Sequence, residues 1–183
     1  MTARPTTRGA ASTQIAALLL VALALRPQIA AIGPLVPGIR DELGASHFFL
    51  GLLTAIPVLC MGLFALAGPA VARRFGAREA IALSVSAIVA FALARDLLPG
   101  PVPVLLLTVG IDVGTGIVGP ILSMFVRSHL SERLVGGTAA YAGGTLLGAT
   151  LATATAVPLA AVFGGWRGAL SILAIASVGS IVT

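Results

Sequence analysis

Long apolar stretches alternate with short polar segments along the whole chain. A helix needs about 20 consecutive apolar residues to cross the hydrocarbon layer of a bilayer. Because the polar segments are short, we expect consecutive helices to lie antiparallel beside one another. The pattern predicts six membrane-spanning helices, over residues 13–37, 48–71, 79–97, 102–126, 134–161 and from 166 onwards.

The composition indicates the same class of protein. Hydrophobic residues make up 58% of the 183 residues and charged residues only 9%, whereas a soluble domain carries about 25% charged residues. The sequence therefore predicts an all-α membrane protein, a six-transmembrane-helix bundle in contact with the lipid bilayer. We expect residues 1–12 to form an N-terminal tail and residues 13–183 the bundle. The last apolar run reaches Thr183 without a polar flank, so we interpret the last helix as cut short.

The arginines predict an orientation. All eleven basic residues are arginine, and they lie singly or in pairs between apolar runs, which does not favour nucleic acid binding. Seven of them fall in segments on the side of the N-terminus, and short arginine-rich segments stay in the cytoplasm. We therefore predict a multi-pass protein of the inner membrane with a cytoplasmic N-terminus. On the other side we place Arg40, Arg95 and Arg167.

Arg26 falls inside the first predicted span. An arginine at the centre of a membrane helix costs about 2.5 kcal/mol or more, so it is expected to face protein or a cavity. At about 1.5 Å per residue, Arg26 lies roughly 20 Å into its helix, near the middle of the bilayer. Its planar guanidinium suits a small anion such as a carboxylate or cyanate. The alternative is a structural role, in which Arg26 forms an ion pair or caps carbonyls freed by Pro27 or Pro34.

Asp112 is the other charge that falls inside a predicted span, at a similar depth in the fourth helix. Intramembrane acids can carry a coupled proton in transport proteins. Asp112 can also face solvent in a wide cavity, and the residues alone leave both alternatives open.

The predicted fifth helix carries a stripe of small residues. Such a stripe lets another helix backbone approach closely, and we interpret it as a packing surface. Tyr141 in the same helix is a candidate polar contact for a solute. The stripe consists of Gly136, Ala140, Gly144 and Gly148.

The segment between the second and third predicted helices resembles the loop signature of the major facilitator superfamily. The acidic residue of that signature is Ala72 here. The resemblance implies a gating loop on the cytoplasmic side, whereas the residues alone are equally typical of an ordinary arginine-rich inner loop. The matching residues are Gly68, Arg73, Arg74, Gly76 and Arg78.

Further short motifs resemble the cyanate permease (CynX/NimT-type) family of that superfamily. The resemblance implies the N-terminal half of a twelve-helix major facilitator fold, whose first and fourth helices line the solute cavity. Arg26 and Asp112 would then meet, as a static ion pair or as one that opens when an anion or a proton binds. The motifs are Leu25-Arg26-Pro27, Gly33-Pro34-Leu35, Ile39-Arg40, Gly51-Leu52-Leu53-Thr54, Pro57-Val58-Leu59-Cys60 and Gly164-Gly165-Trp166-Arg167-Gly168.

The function implied by this resemblance is secondary active transport of a small anionic or polar solute by alternating access. Arg26, Asp112 and Tyr141 would contact the solute, a proton is the candidate coupled ion, and a missing C-terminal half or a second copy would complete the cavity. Two rival hypotheses are a six-helix protein that works as a homodimer and a truncated, inactive fragment. No phosphate-binding loop, nucleophile elbow or paired carboxylate indicates an enzyme, and no cofactor or metal is predicted.

Overall fold

The computed structural model describes residues 8–129 and 134–178, and the regular elements within them are α-helices. Five apolar helical segments in this part of the chain are long enough to cross a membrane, and Trp166–Ser177 is a shorter one. The predicted all-α membrane bundle of about six helices is confirmed. In chain order the helices are α1 (Arg8–Leu25), α2 (Pro27–Ala30), α3 (Ile32–Leu43), α4 (His47–Phe64), α5 (Gly68–Phe75), α6 (Ala77–Leu97), α7 (Pro101–His129), α8 (Leu134–Val162) and α9 (Trp166–Val178).

The ends of the chain lie partly outside this description. The predicted tail over residues 1–12 falls mostly on residues that are not described, although α1 already begins within it, at Arg8. The predicted truncation of the last helix concerns residues 179–183, which also lie outside the described residues.

The first loop is shorter than predicted. The first span continues to Leu43, where Gly44 takes a left-handed φ of 56° that ends the helix. Ser46 then caps α4, because its hydroxyl oxygen accepts a hydrogen bond from the backbone N–H of Phe49 at 3.2 Å. The loop expected over residues 40–47 is therefore only residues 44–46. The second span is also shorter, since α4 ends at Phe64 and the rest of the predicted helix forms α5.

The first span is broken near its middle. Pro27 has no backbone N–H and its ring clashes with the carbonyl four residues earlier, which is the physical reason that α1 ends at Leu25. Arg26 caps the four-residue helix α2, and its carbonyl accepts hydrogen bonds from the N–H groups of Ile29 (3.1 Å) and Ala30 (2.9 Å). The break leaves the Arg26 backbone tied to α2 rather than to a continuous helix.

Helix α7 packs against α4, α5, α6 and α8. Two glycines allow its backbone to come close to its neighbours. A side chain at Gly114 would meet Ile88 of α6 at 2.7 Å, and one at Gly116 would meet the carbonyl of Cys60 of α4 at 2.9 Å. This close packing places Asp112 of α7 in the interior of the bundle, where it is 0% exposed.

Candidate functional site

Arg26 lies at the break between α1 and α2, and its side chain is partly exposed. The described part of the structure records no hydrogen bond or ion pair of its guanidinium. Because no described residue occupies the N–H donors of this guanidinium, they are available to a ligand. The geometry is that of a positive group next to a bend in a membrane span.

Asp112 is fully buried, and neither of its carboxylate oxygens has a hydrogen-bond partner among the residues that the structure describes. The two buried threonines on either side of Asp112 in α7 do not donate to its carboxylate, because their hydroxyls donate to carbonyls of their own helix. Thr108 bonds the carbonyl of Val104 at 2.8 Å, and Thr115 bonds that of Ile111 at 3.0 Å. A buried polar group without a partner is costly and is a feature that functional sites often explain.

The structure does not bring Arg26 and Asp112 together as an ion pair. The ion pairs recorded within the described residues join Arg95 to Asp96 and Arg167 to Glu42. The cation whose charge acts on the Asp112 carboxylate is Arg95. The reason lies in the helix break, because Arg26 sits at the partly exposed bend whereas Asp112 points into the interior.

Arg95 falls inside the span predicted over residues 79–97, but its burial was not predicted. Arg95 lies within α6 and is only 1% exposed. Its guanidinium donates to the side-chain oxygen of Gln28 at 2.8 Å and to the carboxylate of Asp96 at 3.3 Å. The sequence contained a signal for this burial, since Arg95 follows Ile88 and Ala92 on the apolar face of the helix.

Tyr141 lines a separate cavity of about 270 Å³ between α4, α7 and α8. The predicted solute contacts Arg26 and Asp112 are not among the residues that line it. The cavity offers hydroxyl groups for hydrogen bonding beside apolar walls. Its lining residues are Met61, Ala65, Thr115, Gly116, Gly119, Pro120, Ser123 and Tyr141.

The glycines of the loop signature lie where a side chain has no place. Gly68 opens α5 against α7, and a side chain there would meet the carbonyl of Ile117 at 2.7 Å. Gly76 joins α5 to α6 with φ 90° and ψ 148°, a conformation open essentially only to glycine. The side chains of Arg73, Arg74 and Arg78 are exposed around this turn.

The stripe on α8 faces α1. Side chains at Gly144 would meet Ala22 and the Leu19 carbonyl, each at 2.9 Å, and a side chain at Gly148 would overlap the carbonyl of Leu23. Gly136 is looser, with Ile15 at 3.8 Å. Ala140, the remaining member, packs against the buried cluster that contains Leu18.

Comparison with known proteins adds three transporters, although the chain matches no family model. It is 36% identical to the cyanate transport protein CynX of Escherichia coli (strain K12) over 73% of this chain and 36% of that protein. It is 32% identical to the 2-nitroimidazole transporter of the same organism over 87% of this chain and 40% of that protein. It is also 29% identical to the uncharacterized transporter YycB of Bacillus subtilis (strain 168), over 88% of this chain and 42% of that protein. The chain therefore spans less than half the length of these curated relatives.

Membrane-length helices and the similarity to these transporters define the class together. The chain is a multi-pass membrane protein of the major facilitator superfamily. Within that superfamily these homologues support the cyanate permease (CynX/NimT) type, in agreement with the motifs around Arg26 and Trp166.

Proposed function

We propose that this chain is the N-terminal half of a secondary transporter that moves a small anionic or polar solute across the inner membrane by alternating access. The observation that carries the proposal is the similarity to named transporters over 73–88% of the chain. Cyanate and 2-nitroimidazole, the compounds in the names of two relatives, are the first solutes to test. The N-terminus lies in the cytoplasm, on the side of the arginine-rich turn around Gly76.

Arg26 binds the solute in this proposal. Its guanidinium has no described partner, it is partly exposed, and it stands at a break in a membrane span. Broken membrane helices commonly form the binding sites of transporters, because the bend exposes polar groups at mid-depth. A planar set of N–H donors matches the oxygen and nitrogen atoms of a small anion.

Asp112 is the coupling or gating acid in this proposal. A buried carboxyl group whose oxygens have no partner can hold a proton, or accept a group that arrives during the transport cycle. Tyr141 supplies a polar contact from the neighbouring cavity. The arginines around Gly76 act as a gating loop, although the signature lacks its acidic residue.

A second six-helix unit completes the solute cavity in this proposal. The most apolar windows of α4 and α8 are only 17% buried, against 44–50% in the other three long spans. Large apolar side chains such as Leu59 (69% exposed) and Leu146 (70%) lie on these two helices. The greater length of the relatives favours a following part of a longer chain over a second copy.

The test is uptake of radiolabelled cyanate and of 2-nitroimidazole into vesicles that contain the full natural protein. We expect saturable uptake of one of them above the level of protein-free vesicles. Equal uptake with and without protein, for both compounds, would support an inactive product and contradict the proposal. Uptake by the 183-residue chain alone would instead favour the homodimer.

A further inference from the structure

A closed ring of hydrogen bonds joins three helices around Arg95. Gln28 of α2 donates from its side-chain nitrogen to the carbonyl of Leu170 in α9 at 3.1 Å and accepts from Arg95 at 2.8 Å. Arg95 donates to Asp96, and Asp96 accepts from the hydroxyl of Ser171 at 2.9 Å. Leu170 and Ser171 are neighbours in α9, so the ring closes on itself.

The ring holds helix α2, to which the backbone of Arg26 is hydrogen-bonded. Helix α2 lies between the interruptions of the first span at Arg26 and Ala31. Gln28 is 2% exposed and fixes α2 to both α6 and α9. Because the Arg26 carbonyl accepts the N–H groups of Ile29 and Ala30, its backbone must follow any movement of α2.

We propose that Arg95 is a positioning residue for Arg26. Through Gln28 it fixes the orientation of α2, and α2 in turn sets the direction in which the Arg26 side chain leaves the helix break. Arg95 itself does not touch the solute. This inference rests on the proposed role of Arg26 in solute binding.

The chemistry of the ring suits an orienting role better than a purely stabilising one. Apolar residues usually stabilise an interior as well as a buried ion pair does, whereas a hydrogen-bonded pair imposes one geometry. The planar guanidinium supplies two donors in fixed directions, one to Gln28 and one to Asp96. A lysine does not reproduce this geometry, because its three N–H donors share one nitrogen and rotate freely.

Other polar groups nearby do not provide this link. Arg167 donates to three carbonyls at the end of α6, those of Arg95, Asp96 and Leu98. Its fourth acceptor is the carboxylate of Glu42 in α3, so none of its partners lies in α2. The side chain of Thr108 bonds its own helix. Among these groups, only Arg95 connects α6 to a side chain of α2.

The experiment measures where position 26 points without using a solute. The full natural protein, made cysteine-free with Cys60→Ser included, receives Arg26→Cys, and a water-soluble charged thiol reagent labels the new thiol. We expect Gln28→Leu to change the labelling rate about tenfold, the factor that matches the loss of one hydrogen bond to a charged group. Arg95→Met should give the same change, and the double variant should add nothing to it.

Thr108→Val is the matched control, because it also removes a buried polar group but leaves α2 untouched, and its labelling rate should equal that of the parent. Gln28→Leu keeps the Arg95–Asp96 pair, so it remains informative if Arg95→Met fails to fold. An unchanged rate with Gln28→Leu overturns the proposal, as does a parent whose position-26 thiol is never labelled.

The labelling and transport experiments test two different claims, so either claim can be contradicted without the other. If labelling responds to Gln28→Leu but Arg26→Ala transports solute normally, the ring positions Arg26 while the proposed solute contact is wrong. If Arg26→Ala abolishes transport but labelling ignores Gln28 and Arg95, the solute contact stands and the positioning role is wrong.

Discussion

Gly148 of α8 lies against the main-chain carbonyl of Leu23 in α1, with no space for a side chain between them. In an unbroken helix this carbonyl would accept the N–H of residue 27, but that residue is Pro27, which has none. The glycine therefore covers the carbonyl at the point where the first span breaks. Close approach of an α-carbon to a carbonyl oxygen is a weak favourable contact that recurs between packed helices.

Gly148→Ala should destabilise the bundle, because the new methyl group would overlap the Leu23 carbonyl. We expect a loss of about 1–3 kcal/mol, as for other overpacked sites. Gly143→Ala in the same helix is the matched control, since nothing lies within 4 Å of its added carbon, and it should gain up to about 1 kcal/mol from helix propensity. Thermal unfolding of the full natural protein in detergent compares them, and equal stabilities would contradict the packing described.

Gly76→Ala should also destabilise the protein, but through backbone strain. Its φ of 90° and ψ of 148° lie in a region that costs other residues about 1–3 kcal/mol. The Glu79 carboxylate also lies against this site. Gly76→Ala combined with Glu79→Ala removes that contact and keeps the strain, so it should remain less stable than Glu79→Ala alone. Full recovery in the double variant would show that the contact, not the strain, was responsible.

Arg167 should matter more to stability than its ion pair suggests. Its guanidinium donates to three carbonyls at the end of α6, at 2.9–3.2 Å, besides the Glu42 carboxylate. We expect Arg167→Gln to cost about 1–3 kcal/mol, because those carbonyls lose a charged donor. Glu42→Gln removes only a partly exposed ion pair and should cost about 0–1 kcal/mol. The same unfolding measurement checks the order, and a larger loss for Glu42→Gln would reverse our account.

Asp112→Asn should flatten the pH dependence of transport, because it replaces the proposed proton carrier by a group of similar size that does not titrate. Within the described residues, the titratable groups that interact electrostatically with this carboxylate are Arg95 of α6 and Cys60 of α4. Uptake is measured over a series of pH values in the parent, in Asp112→Asn and in the control Thr108→Val, which changes another buried polar residue of α7. A pH profile of Asp112→Asn that follows the parent would remove Asp112 from proton coupling.

The spans and the break in the first of them could be predicted because their signals are local. Apolar run lengths place the helices, and Pro27 marks a place where one helical hydrogen bond is lost, although Pro57, Pro120 and Pro158 lie inside helices that continue past them. Ile88 and Ala92 indicated the face of α6 on which Arg95 is buried, but its partner could not be predicted in the same way, because Gln28 is 67 positions away in the chain.

The expected pairing of Arg26 with Asp112 required a similar depth in the membrane and side chains that point toward each other. The depth can be counted along the sequence, whereas the side-chain directions cannot. Both residues lie well inside spans, but the bend after Arg26 and the burial of Asp112 turn their side chains to different surroundings. Only the relative rotation of helices decides such a contact. Gly144 and Gly148 are a simpler case, because a stripe of small residues needs only one partner backbone, and the structure places α1 there.

The most direct test of the account is solute transport by the full natural protein with Arg26→Ala and Arg26→Lys. Initial uptake rates are measured over a range of concentrations of cyanate or 2-nitroimidazole, whichever the parent carries. If Arg26 binds the solute, Arg26→Ala should weaken apparent affinity or rate about tenfold or more, the effect of losing a charged hydrogen-bond donor. Arg26→Lys should fall between Arg26→Ala and the parent, because it keeps the charge and loses the planar donors. Parent-like rate and affinity in both variants would contradict the claim that Arg26 binds the solute.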